Sequence, residues 1–180
     1  MRFLSSVFVS CGIALALATS IAPAADAPQS PPQPHAMPIP TWLAGTWTLV
    51  RCDNVYPDGH RIALYGDHPQ GLWMIDASGH YMMQMVRTGR MPFASGDKSK
   101  GTPEEYRAAS LDSNAHFGSV SVVGDQMTTH IAQASFPNWN GRGGSTHYSL
   151  NGNQLTYLVA KPSSGAAEGA HGEVVWQRLD

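Results

Sequence analysis

With 11 basic against 13 acidic side chains in 180 residues and a net charge of −2, the chain has neither the basic footprint of a nucleic-acid-binding protein nor a polybasic membrane patch. It has two cysteines, and because Cys11 falls in the leader described next, Cys52 is left alone; no internal disulfide can form in the remainder, which must be stabilised by packing.

Residues 1–25 carry one charge, Arg2, then an apolar core, then small residues at Ala22, Ala24 and Ala25. This pattern predicts a secretory signal peptide cleaved near Ala24 or Ala25, and hence an exported protein, periplasmic or extracellular. Ser10, Thr19 and Ser20 interrupt the apolar run, which argues against a retained membrane anchor. Leu15, Leu17 and Ile21 extend the core well past Cys11, which argues against lipid attachment there. Cleavage removes Arg2, leaving 10 basic against 13 acidic residues in about 155 residues, the size of one domain. Residues 26–40 follow with proline at 28, 31, 32, 34, 38 and 40, a composition that excludes helix and sheet and reads as a polyproline-like tether.

The remaining domain, 41–180, opens on T-W-L-A-G-T-W-T-L-V. Trp42 and Leu43 form an apolar cap, and a strand runs from Gly45 to about Cys52 with Trp47 and Leu49 on one face. Pro57-Asp58-Gly59 is a turn, Arg61 to Tyr65 a short strand, and Gly66 to Gln70 another turn. Leu72–Ile75 and Tyr81–Val86 flank Asp76-Ala77-Ser78-Gly79 and form a hairpin. The segment from Gly89 to Lys100 is a loop that carries Met91 and Phe93 through polar sequence. Thr102-Pro103-Glu104-Glu105 is a helix start with a capping box; the helix is expected from Gly101 to about Ala115, packed across the barrel wall or one opening. Strands follow at Ser119–Val123, Met127–Phe136, Thr146–Leu150, Gln154–Ala160 and Glu173–Leu179. Their connections are Gly124-Asp125, a corner at Pro137–Gly141, a tight Asn151-Gly152 turn and a flexible loop at Pro162–Gly172. About eight strands joined by short turns, with one inserted helix, predict an all-β antiparallel up-and-down barrel.

The opening W-L-A-G-T-W resembles the glycine-x-tryptophan signature of the first lipocalin strand. More specifically, the chain resembles the lipocalin-like domain family of bacteria and fungi. The shared stretches are Asp76–Gly79, Gln84–Arg87, Pro92–Asp97, Gly101–Tyr106, Phe117-Gly118, Thr129-His130, Phe136–Trp139, Leu155-Thr156 and Val175–Arg178, spanning Trp42 to Asp180. The resemblance implies a lipocalin-like barrel able to hold a small molecule, with Arg178 of the last strand packed over Trp47 of the first. It supplies no agreed catalytic residues. Gly141–His147, G-R-G-G-S-T-H, departs from the more strand-like, often arginine-bearing segment of the family.

Eight histidines invite a metal reading, but none forms the i, i+4 pair of a zinc helix and one cysteine is too few to help; no metal site and no cofactor is assigned. His116, His130 and His147 lie on or beside successive strands and read as hydrogen-bonded histidines. No nucleophile elbow, phosphate loop, C-x-x-C or paired-carboxylate motif is present. Tyr81, Met83 and Met85 alternate with His80, Met82, Gln84 and Val86; both faces are partly apolar, and the pattern does not rank them. Placing the first set inside gives an expected ligand pocket lined by Tyr81, Met83, Met85, Phe93, His116, His130, Trp139 and Tyr148, where thioethers adapt to an apolar body and the polar tips orient it. Three functions compete: carriage of a small apolar or amphipathic molecule; proton-transfer catalysis of an isomerisation or cyclisation, with His116, His130 and Tyr81 as the candidates; and a non-catalytic interaction module with a filled barrel. No nucleic acid and no stable membrane insertion after cleavage are expected.

Overall fold

The computed structural model describes residues 39–179; the expected signal peptide and all but the last two tether residues lie outside them. Along the chain come β1 (Gly45–Val55), β2 (Arg61–Ala63), β3 (Gln70–Ile75), β4 (His80–Val86), α1 (Pro103–Leu111), β5 (Ser113–Val123), β6 (Gln126–Ala134), β7 (Gly143–Asn151), β8 (Gln154–Val159) and β9 (His171–Arg178). Single turns of 3-10 helix occur at Lys98–Lys100 and Pro137–Trp139. Every pairing is antiparallel, and β1 pairs with both β3 and β9, so the sheet closes on itself. Closure removes most of the free edge that would otherwise template aggregation, leaving β7 and β8 unpaired with each other only beyond Tyr148 and Tyr157.

The barrel has eight staves. β3 covers β1 only from Gly45 to Thr48, and the short β2 continues along the same edge at Asp53–Val55. β2 is held there by charge: Arg61 Nη1 lies 3.1 Å from Asp53 and 2.8 Å from Glu173, and Arg51 reaches Glu173 at 2.5 Å. A register shift between Leu49 and Arg51 turns Val50 outward and brings Leu49 and Cys52 to the same face.

The β3–β4 hairpin forms where its residues predict. The Asp76 carboxylate accepts from the backbone N–H of Ser78 and of His80, and Gly79 takes a left-handed conformation at φ 84°. The helix also begins as expected, with Thr102 and Glu105 exchanging the two hydrogen bonds of a capping box and Pro103 in the first turn. It ends sooner than expected, at Leu111, and β5 starts at Ser113 instead of Ser119. Ser113–Gly118 alternates short polar and apolar residues, and its pairing with Tyr81–Val86 satisfies the backbone of both strands. No α1 residue is buried. The outer face of β4 is accordingly not packed beneath it: Met82 is 64% exposed.

One end of the barrel carries the β3–β4, β5–β6 and β7–β8 hairpins and is plugged by the segment before β1. Trp47 Nε1 donates to Leu43 O at 3.0 Å, Arg178 lies 5.6 Å from the Trp47 ring centroid, and its guanidinium also donates to Trp42 O. The core begins here: Leu43, Trp47, Trp73, Met127, Leu155 and Trp176 are fully buried. Each buried tryptophan removes up to roughly 150–250 Å² from water, on the order of 4–6 kcal/mol of transfer free energy apiece. The other end carries the long connections and is the loop end.

Candidate functional site

Barrel tilt determines which side chains reach the loop end. The row of partnered residues Trp47, Trp73, Met83, His116 and Ala134 climbs from the plugged end toward the loops as it passes from strand to strand. Tyr81, Met83 and Met85 point inward with Trp73 and Ile75, all of them buried. An aromatic series follows: Trp176 to Trp73 (5.6 Å between ring centroids), Trp73 to Tyr81 (6.1 Å), Tyr81 to His116 (5.5 Å), His116 to Trp139 (6.0 Å) and Trp139 to Phe136 (5.6 Å). The plugged half of the lumen is therefore filled by side chains. In the loop half Cys52, Asn54, Tyr65, Met85 and Asn114 are buried, with His116 and Tyr157 also withdrawn from solvent.

His116 is the polar centre of that half. The Tyr81 hydroxyl lies 2.9 Å from its Nδ1. Burial pushes the imidazole down to about 4 and the Tyr81 phenol well above its ordinary value, so both are neutral at physiological pH. When the hydroxyl donates to Nδ1, Nε2 carries the remaining hydrogen and is a donor for something else. Burial, reinforced by the Asp53 carboxylate, pushes the Cys52 thiol up to about 12, so it is protonated and not a nucleophile. Burial likewise raises the Tyr65 and Tyr157 phenols. Asn114 Oδ1 is 3.4 Å from Ser135 Oγ, which also accepts from the Ala115 N–H. Deeper in, the indole N–H groups of Trp73 and Trp176 meet no hydrogen-bond acceptor among the described residues.

The loop end is crossed by the β8–β9 connection. Ser163 Oγ accepts from Trp139 Nε1 at 2.9 Å, and Ser164 Oγ donates to Asn54 Oδ1 at 3.1 Å. These two bonds tie the strap to β1 on one side and to the β6–β7 corner on the other. The β4–β5 connection is largely self-braced and is tied at its base to the segment before β3, where Thr88 donates to His68 O and Arg87 to Leu64 O. Arg87 and Asp112 close its base at 2.6 Å, Glu105 accepts from the Ala94 N–H, Phe93 packs edge-on to Tyr106, and Tyr106 Oη bonds Gly101 N and Lys98 O.

The expected pocket residues thus divide. Tyr81, Met83, Met85 and His116 share the lumen, and Trp139 meets His116 at its loop end. Tyr148 faces inward at the plugged end, against Trp42, with its hydroxyl bonded to Gly124 O. Phe93 is outside the barrel on Tyr106. His130 pairs with Ser119, whose other neighbour, His80, is solvent-exposed, so His130 is on the outer face. His147 is also outside, 3.0 Å from Asp125. Asn54, Tyr65, Asn114, Ser163 and Ser164 were missed as site residues. Asn114 alone had a legible signal, the alternation of S-N-A-H-F. Among the described residues no group of three or more His, Cys, Asp or Glu side chains is placed to hold a metal ion.

A family model described as the lipocalin-like domain matches residues 44–179. Among solved structures, the chain is similar to a lipocalin-like protein from Bacteroides uniformis (13% identity, TM-score 0.41, covering 77% of this chain and 99% of that one). It is also similar to an uncharacterised protein from Bacteroides eggerthii (12% identity, TM-score 0.38, 76% and 98%) and to a redesigned β-barrel (14% identity, TM-score 0.37, 78% and 94%). No curated protein matches. With a family match over most of its length and a closed eight-stranded antiparallel barrel, the chain belongs to the lipocalin-like domain family.

Proposed function

We propose that this is an exported binding protein that holds a small, uncharged amphipathic molecule in the loop half of its barrel. The observation that carries the reading is the neutral His116–Tyr81 pair among uncharged hydrogen-bonding groups: a ligand polar group finds a donor at Nε2 and amides at Asn54 and Asn114, while Met85 and Trp139 contact its apolar body. A charged ligand group would have no counter-ion among these side chains. The same pair argues against proton-transfer catalysis. A general base works best with a pKa near the operating pH, whereas burial holds His116 at about 4. The three fully buried tryptophans favour a short ligand over one that threads the whole lumen.

Native mass spectrometry of the protein purified from its own host tests this reading twice over. The mature mass reports cleavage near Ala25, and any excess mass reports a retained molecule. In parallel, the neutral probe N-phenyl-1-naphthylamine should bind with micromolar affinity, roughly −8 kcal/mol, and Met85→Trp, which fills the loop half, should weaken it at least tenfold. No retained mass together with equal probe binding by wild type and Met85→Trp would leave the filled-barrel interaction module as the better reading. Recovery of the uncleaved chain would overturn export.

A further inference from the structure

The barrel wall is split on one side. β7 runs from Gly143 to Asn151 and β8 from Gln154 to Val159, but their ladder ends at the pair Tyr148 and Tyr157. Beyond that pair, residues 143–147 keep their partners on β6 and 158–159 keep theirs on β9, with no ladder across the gap. Thr146 spans it with a side chain, its Oγ1 donating to Leu158 O at 2.8 Å. The β8–β9 connection borders the split and leaves a cleft of about 760 Å³, well within the range of small-ligand sites. Ser145, His147, Leu158 and His171 belong to the outer face by register, whereas Thr146, partnered with the buried Met127, is inward-facing, so the cleft opens on the outside of the wall and meets the lumen side at Thr146.

Its lining is apolar along Leu158, Ala160, Pro162, Ala166, Ala167 and Ala170, and carries Lys161 beside them. Lys161 makes no ion pair among the described residues. The remaining titratable groups on the cleft are His147, paired with Asp125, His171 and Glu168. Glu168 offsets part of the lysine field, so apolar area holds a guest and the lysine orients it.

We propose that this wall cleft is a second binding site, for a small amphipathic anion whose carboxylate meets the Lys161 ammonium and whose apolar body lies on Leu158 and the alanines of the β8–β9 connection. An extended peptide is the weaker occupant, because the open edge of β7 at residues 143–147 is already bridged to Leu158 by the Thr146 side chain and β8 ends at Val159. The guest differs in charge from the uncharged ligand assigned to the lumen, and the site stands or falls separately from it.

The test uses the fluorescent fatty acid cis-parinaric acid and its methyl ester on the full chain. The acid is expected to bind wild type at least tenfold more tightly than the ester, Lys161→Met to abolish that difference, and Ala167→Trp to lower acid affinity at least tenfold. Far-UV circular dichroism checks that Ala167→Trp folds; should it not, Lys161→Met decides alone. Equal binding of acid and ester by Met85→Trp, whose filled lumen cannot take the ester, or acid binding untouched by the cleft substitutions, overturns the proposal. Loss of acid binding in Met85→Trp but not in the cleft variants would place the acid in the lumen, which also overturns the proposal while leaving the lumen as a site.

Discussion

His116 makes the barrel's stability depend on pH between its ordinary and its folded value, and the other seven histidines, present in wild type and variant alike, cancel in the comparison that follows. Its ordinary value is 6.5, and burial in the folded chain lowers it to about 4. Above the ordinary value the imidazole is neutral in both states and the fold keeps its full stability. As the pH falls below it, the unfolded chain takes up a proton that the folded chain refuses until about 4. The unfolded state then binds more protons, so stability falls with pH at up to about 1.4 kcal/mol per pH unit. Lowering from 6.5 to about 4 corresponds to about 3 kcal/mol in all, complete once the pH is below the folded value. Urea denaturation of wild type and His116→Phe, followed by tryptophan fluorescence from about pH 7.5 to about 4.5, measures it. The carboxylates that titrate at the acid end, Glu173 among them, held low by Arg61 and Arg51, are common to both proteins and cancel. The wild-type minus variant difference should shrink or change sign toward acid, because the variant loses the proton-linked slope; at neutral pH the variant is the less stable, having left the Tyr81 hydroxyl without its partner. A difference that stayed constant across the window would mean that His116 titrates normally, and the case for a neutral hydrogen-bonding group in the lumen would fail with it.

Arg178→Ala should lower the melting temperature without preventing folding, since it removes a cation–π contact contributing on the order of 0.5–2 kcal/mol and the bond to Trp42 O; an unchanged melting curve would show that the segment before β1 plugs the barrel without it. Thr102→Ala should cost about 1 kcal/mol of local stability. Because α1 buries no residue, the loss should appear as roughly fivefold faster amide exchange in α1 with little change in global melting, and a lowered global melting temperature would show instead that the helix unfolds together with the barrel.

Local chemistry was legible in the sequence wherever neighbouring residues settle it. The Asp76–Gly79 turn and the Thr102 capping box need only side chains within four positions of one another, and both formed where their residues pointed. The all-β class followed from short β-rich runs separated by turn residues, and the family resemblance reached the barrel before any pairing was known. The length of α1 was misjudged because S-N-A-H-F is compatible with either state in isolation. Its pairing with β4 decides for strand, and that partner lies about thirty residues away in the chain. Gly118 has the same origin: within the irregular β5–β6 pairing, a side-chain carbon there would sit 1.9 Å from His130 O, a constraint that only the assembled sheet imposes.

Which residues face inward was likewise left to the tertiary structure. A strand apolar on both faces, such as β4, does not declare its inner side; closure of β1 against β9 does, by setting Tyr81, Met83 and Met85 against Trp73 and leaving Met82 in solvent. His116 and His130 looked equivalent on successive strands, yet register puts one in the lumen and the other outside. Asn54 and Ser164 are 110 residues apart and meet only because the β8–β9 connection crosses the loop end. Turns, caps, strand-forming runs and membership of a barrel family can be read from the chain alone, because all are products of short-range chemistry or of whole-chain pattern. The site, the split between β7 and β8 and the charge state of His116 arise from long-range pairing and burial, which exist only once the barrel has closed.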